Sequence, residues 1–285
     1  MLRPSAPALA LIARLFLTVT ALLITLALLY PVAYVLIASL AVGQALTVTL
    51  DTLAQGLTLE RYITTLRDRD FLIGLSTSLL VALANITFSV LVITPAAYVF
   101  SRFQFRGKDA ILISYLILSQ VGGGFGVAAL IALYVLLLRL DSLGLPVVGN
   151  PIVLALVYTA SAVPFQTWLI KSYFDSLPRE LDEAAFVDGA SWGDIIFKVV
   201  LPASRPAITV IAVFAFMGAW GEFIVSDFLK VPTLAAYIYR TAMGQTIAWG
   251  DFAARTILFS LPVILLFVLS QRYIGEALRY GAGKA

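Results

Sequence analysis

The chain contains no cysteine and no histidine among its 285 residues. Disulfides and thiolate nucleophiles are therefore excluded, and a hydrolytic triad or zinc site loses its usual ligands. Charge is almost as scarce. Lys, Arg, Asp and Glu make up 12% of the chain against 61% hydrophobic residues, where a soluble domain carries about 25% charged residues. The formal net charge of +3 is small and dispersed, so the composition indicates no nucleic-acid partner. What remains is a membrane protein with no stretch long enough for an independent soluble domain.

Six stretches are apolar over about the 20 residues needed to cross the hydrocarbon core. They cover approximately residues 15–40, 71–100, 110–138, 152–170, 206–228 and 256–274. Runs such as "LIALYVLLL" lack the apolar/polar alternation of barrel strands, so these spans are expected to be helices. The first apolar run is about twice the length of a signal-peptide core, and a retained span is the expectation despite the small residues that follow it.

Basic residues set the orientation. Arg3 and Arg14, then Arg102, Arg106 and Lys108, then Arg272, Arg279 and Lys284 all fall on one side of a six-span arrangement. That side is read as cytoplasmic, with both termini inside. By parity the segment 176–202, "SLPRELDEAAFVDGASWGDIIFKVVLP", also lies inside. Six of the sixteen acidic residues fall between positions 175 and 202. Acidic residues contribute little to topology, so something else selects them.

The segment reads as helix, turn, helix. Pro178 opens a run of good helix formers through Phe186, Gly189 supplies a stop, and Ser191 with Asp194 has the spacing of a capping box. Ile195, Ile196, Val199 and Val200 then share one apolar face, and Pro202 and Pro206 close the second helix before the fifth span. Ala184 and Ala185 leave room for close approach of another surface. An amphipathic helix lying on lipid carries Lys and Arg on its polar face, and this one is acidic. A protein partner with a basic rim fits better.

These residues resemble the EAA loop of importer-type ABC permeases: Glu183, Ala184, Ala185, Gly189, Leu201 and Pro202 stand at that family's spacing, and the "DGA" of Asp188, Gly189 and Ala190 is its sugar-importer form. "TLERYITTL", "AAYVFSRFQFRGKD" and "WGDFAARTILFSLPVILLFVLSQRYIGEAL" extend the likeness over nearly the whole chain, toward the second permease subunit of maltose-type importers. The fold class implied is an all-α membrane protein of six transmembrane helices, an importer-type ABC permease fold with cytoplasmic coupling (EAA) helices. Residues 1–285 form a single transmembrane permease domain with the coupling loop 176–202 inside it.

The resemblance implies that the loop docks on a cytoplasmic ATPase. Glu183 would meet its rim, Ala184 and Ala185 would allow close approach, and Gly189 would form the turn, with Asp188, Leu201 and Pro202 completing the motif. It also implies a second permease subunit in a heterodimer, two cytoplasmic ATPase subunits, an extracytoplasmic sugar-binding protein and a home in a bacterial or archaeal cytoplasmic membrane. The chain itself would hold no cofactor and catalyse no reaction, the ATP being hydrolysed by a partner. Maltose or maltodextrin leads among substrates, with trehalose, another oligosaccharide or a polyol open.

Gln120, Gln166 and Glu222, polar residues within the spans, and Gly122 and Gly124 of "GGGFG" mark a candidate substrate path, the amides reading more often as glue between helices. "GGGFG" at 122–126 is no phosphate loop, because no Lys-Ser or Lys-Thr follows it; it reads as a hinge or close-packing site, or as unwound backbone lining a cavity. Glu222 reads equally as a water-exposed carboxylate at the end of its span. The alternative function is an ion-coupled secondary transporter, a class that places acidic groups or broken helices at the midplane; no deep charged pair is present here.

Overall fold

The computed structural model describes residues 6–42, 54, 56–124, 126–244 and 248–282. The regular structure among the described residues is helical, with an isolated bridge between Ala41 and Leu57. The helices are α1 (Ala6–Leu40), α2 (Glu60–Arg67), α3 (Arg69–Arg102), α4 (Lys108–Gly124), α5 (Gly126–Ser142), α6 (Pro151–Phe174) and α7 (Glu180–Val187). They continue with α8 (Trp192–Ala203), α9 (Arg205–Trp220), α10 (Ile224–Phe228), α11 (Leu234–Ala242) and α12 (Trp249–Ala282).

Among the described residues, four helical stretches are long and apolar enough to cross a membrane: Ala13–Leu40, Arg69–Arg102, Pro151–Phe174 and Trp249–Tyr273. The α8–α9 pair passes the same test together but is bent by 88°. The predicted third span falls on α4 and α5, each of 17 residues and so about 25 Å long at 1.5 Å per residue. The predicted fifth span ends early, at Trp220, because the Gly221–Phe223 stretch breaks the helix before α10 begins. Proline lies inside α1, α3, α6 and α12, at Pro31, Pro95, Pro164 and Pro262, which membrane helices tolerate where neighbours satisfy the freed carbonyl.

The chain divides into two compact units. One comprises residues 1–68 and 241–258. Here α1 carries its apolar side chains outward, with Phe16, Leu28 and Tyr30 each 69% exposed, a surface suited to lipid and not to water. Arg61, on α2, closes the end of α1: its Nη1 donates to the carbonyls of Ala38 and Ala41, and its Nε pairs with Asp251 at 3.2 Å. Gly250 makes room for that guanidinium, since a Cβ there would lie 2.2 Å from Arg61 Cζ.

The second unit comprises residues 69–240 and 259–285. Its centre is α3 packed on α6 and α9. Asn85 bolts the three together. Its Nδ2 donates to the Ala215 carbonyl at 2.7 Å, and its Oδ1 lies 2.7 Å from the Thr159 hydroxyl. The single hydroxyl proton of Thr159 serves either Asn85 or the Ala155 carbonyl 2.9 Å away. Asn85→Leu is expected to lower stability by about 1 kcal/mol, the usual worth of such an interhelical bond in lipid. The midpoint of thermal unfolding in detergent measures it.

Two further contacts fix the elements around this centre. Trp220 is buried between Phe216 and Phe259, with stacked rings 5.1 and 5.5 Å away, and its Nε1 donates to the Phe259 carbonyl at 3.0 Å. Gly74 lets α11 start against α3, because a Cβ at Gly74 would stand 3.1 Å from Leu234 Cα. The Leu234 N–H then donates to Ser78 Oγ at 2.8 Å.

Candidate functional site

The α6–α9 connection builds the most distinctive surface of the second unit. Its first helix, α7, opens two residues after Pro178 and concentrates Glu180, Asp182 and Glu183 in its first turn, where the exposed backbone N–H groups favour negative charge. It stops where the sequence demands. Gly189 adopts φ +80°; its N–H donates to the Phe186 carbonyl and that of Ala190 to the Ala185 carbonyl, both at 3.0 Å. This is a Schellman closure, which needs a left-handed residue at the Gly189 position.

Ser191 then begins α8. Its hydroxyl accepts the Asp194 N–H at 3.2 Å while the Asp194 carboxylate accepts the Ser191 N–H at 3.3 Å, a reciprocal cap. Lys198 pairs with Asp194 at 2.5 Å. That ammonium first, then the Ser191 hydroxyl and N–H, hold the Asp194 carboxyl down at about 2. Because the folded value is depressed, this contribution is complete above the ordinary aspartate value of about 3.9 and is lost only as pH falls through 2. The pH profiles of thermal unfolding for wild type and Asp194→Asn are therefore expected to run parallel from about pH 5 to 8. A profile that diverges inside that window contradicts the assignment.

Residues Ile195–Val200 form a π-helical stretch within α8. The wider turn roots the connection in the bundle: Ile195 and Val200 are buried in one apolar cluster with Ile93, Tyr98, Phe174 and Ile211, and Ala185 and Ala190 pack against it. After Ala203 the chain turns by 88° at Ser204 into α9, where Pro206 follows within the first turn.

The outward face of this knob is apolar as well as acidic. Phe186 is 60% exposed, Val187 85% and Trp192 52%. The Trp192 ring lies 5.7 Å from Phe186 and 5.2 Å from Phe103, joining the knob to the end of α3. Glu183 and Ala184 are exposed and Ala185 is half-buried. Asp188 caps α7, its N–H donating to the Ala184 carbonyl at 3.0 Å. Leu201 and Pro202 sit in the last turn of α8, Leu201 half-buried and Pro202 exposed. The motif residues thus divide between an outward surface and the turn and root that hold it.

The candidate path residues are distributed over α4, α6 and the break between α9 and α10. Gly122 and Gly124 lie in the final turn of α4, and helical backbone resumes at Gly126; the side chain of Gln120 and position 125 lie outside the described residues. Gln166 is buried on α6 with its Oε1 unpartnered. Glu222 accepts the Tyr158 hydroxyl at 2.5 Å and the Val225 N–H at 2.9 Å, capping α10. Tyr158 and Gln166 are eight positions apart on α6, roughly 12 Å.

Sequence patterns did not reveal Arg102, Asp182 or the Phe186–Trp192–Phe103 aromatic chain as parts of this site. Arg102 registers in sequence only as one more basic residue beside a span. Its signal lies in long-range partners that no local period records.

Residues 111–280 match the family described as binding-protein-dependent transport system inner membrane component. The maltodextrin transport system permease protein MdxG of Bacillus subtilis (strain 168) is 32% identical over 277 residues, covering 95% of this chain and 94% of that protein. The galactooligosaccharides transport system permease protein GanQ of the same organism is 35% identical over 73% of this chain and 72% of its own length. A bacterial ABC transporter involved in the import of the acidic polysaccharide alginate has a similar fold, with a TM-score of 0.72 at 20% identity, covering 96% of this chain and 99% of that one.

Proposed function

The chain belongs to the family of binding-protein-dependent transport system inner membrane components, and from that membership we propose that it is the transmembrane subunit of an ATP-driven importer of maltodextrin-type oligosaccharides. It is not an enzyme; hydrolysis belongs to a separate cytoplasmic ATPase. One observation carries the coupling: a rigid, capped helix–turn–helix knob projects an acidic and aromatic surface outward while its own residues form part of the bundle core. Such a surface suits a protein partner, and its root suits transmission of that partner's motion.

In this reading Glu183 and Ala184 face the ATPase, Gly189 and Asp188 hold the turn, and Leu201 and Pro202 anchor the second helix. A second permease subunit completes the pathway, two ATPases lie beneath the pair, and an extracytoplasmic binding protein delivers the sugar. Both termini and the knob lie on the cytoplasmic side, which the basic residues flanking the spans support. Transport follows from differential affinity of these partners for inward-open and outward-open states. The maltodextrin class rests on the named substrates of the similar permeases, with galacto-oligosaccharides the nearest competitor by the same warrant.

Purification from native membranes tests the proposal. An ATPase subunit is expected to accompany the chain, and its hydrolysis is expected to rise when the binding protein is added with maltotriose. Stimulation by a galacto-oligosaccharide alone would replace the substrate class. Absence of any ATPase, with uptake driven by a sodium or proton gradient, would replace the mechanism.

A further inference from the structure

Arg102, the last residue of α3, is 9% exposed in its side chain, and its guanidinium meets three partners, two through hydrogen bonds and one through charge. Nη1 donates to the Phe174 carbonyl at 3.1 Å and Nη2 to the Leu177 carbonyl at 3.3 Å. These two groups lie at and just beyond the end of α6, where carbonyls have no partner within the helix. The remaining edge faces Asp182 on α7, with Nε 2.5 Å from Oδ2; the Asp182 side chain is 13% exposed. Next to it, Ser101 Oγ donates to Asp175 Oδ1 at 2.8 Å, and Asp175 pairs with Lys171 at 2.6 Å.

The placement of Asp182 separates it from the outward surface of the knob. Glu183, Phe186 and Val187 are exposed, whereas Asp182 turns back onto the end of α3. A single planar side chain therefore joins three elements: the second span, the end of α6 and the first turn of the docking helix. Lysine cannot reproduce this, because only guanidinium offers several donors in one rigid plane. The pair is also nearly dry, so loss of either charge leaves the other without compensation.

We infer that Arg102 is a positioning residue for transport, and that the Arg102–Asp182 ion pair is the strut through which displacement of α7 reaches the second span. The inference rests on the importer reading above. The chain joining α6 to α7 passes through Ser176, Leu177 and Pro178, with the Ser176 and Leu177 N–H groups bonded back to Tyr173 and Phe174; the ion pair adds a direct tie from α7 to α3. A push on α7 is then delivered to α3 at its end.

The test uses the assembled complex in proteoliposomes, with sugar imported and ATP hydrolysed measured together. The probe is whichever of maltose, maltotriose and a galacto-oligosaccharide most stimulates the wild-type ATPase. Asp182→Asn keeps the shape and removes the charge; it is expected to assemble and to hydrolyse ATP while the sugar moved per ATP falls at least fivefold. Asp182→Glu is expected to restore more than half of the ratio, and Arg102→Lys to restore little. A peg that merely holds the fold would lower transport and hydrolysis together and leave the ratio unchanged; that result overturns the strut, as does a ratio indifferent to Asp182→Asn. A wild-type complex that contains no ATPase overturns the importer reading and the strut with it.

Discussion

Gly189→Asp is expected to cut transport at least tenfold while the spans insert and the partner subunits still assemble. The residue sits at φ +80° with nothing within 4 Å of an added Cβ, so the substitution meets no neighbour. Its cost is conformational, roughly 1–2 kcal/mol for a side chain forced into the left-handed region. The knob can relieve that cost by opening the closure made by Gly189 and Ala190 onto Phe186 and Ala185. Opening it re-aims Trp192 away from Phe186 and Phe103 and so disrupts the outward surface. The severity should follow left-handed tolerance: Asn mildest, Asp intermediate, and Val worst because it is β-branched. Transport rates of the three variants, normalised to assembled complex, measure the order. A Gly189→Asp complex that assembles and transports normally contradicts this account of the turn.

Glu222→Ala is expected to lose about 2–4 kcal/mol of stability, combining a lost helix cap with a buried hydroxyl deprived of its acceptor. The carboxylate accepts the Val225 N–H at 2.9 Å, the Ser226 N–H at 3.4 Å and the Tyr158 hydroxyl at 2.5 Å, tying α10 to α6. Glu222→Gln retains an acceptor oxygen for either partner and should cost less than about 1 kcal/mol. Thermal unfolding of both variants, read beside their transport KM, separates two roles for this residue. A cap gives a large loss for Ala, a small one for Gln and an unchanged KM. A sugar contact raises KM in both variants and leaves unfolding unaltered.

These variants also show where sequence reading succeeds. The turn at Gly189 was legible because a left-handed stop follows from local chemistry: strong helix formers, then glycine, then a Ser–Asp capping pair. The long apolar helices were legible because a lipid environment imposes composition on every turn. Glu222 was ambiguous because its meaning depends on Tyr158, 64 positions earlier. The early end of the fifth span had a local signal in Gly221 that uniform hydropathy concealed. Arg102 was legible only as a topological charge, since Phe174, Leu177 and Asp182 become its neighbours only when three helices have packed. The π-helical stretch at 195–200 has no marker in its sequence, "IIFKVV", which is apolar at ordinary helical spacing.

The most direct test of the central claim uses the absence of cysteine. A single Val187→Cys places one thiol in the chain at its 85% exposed position on the knob. In native membranes, a short thiol-anchored photocrosslinker at that site is expected to join the chain to the ATPase subunit, and assembly is expected to block labelling by a bulky aqueous maleimide. Full labelling by the maleimide in the assembled complex, with no ATPase in the crosslinked product, would contradict the claim that this knob is the coupling surface.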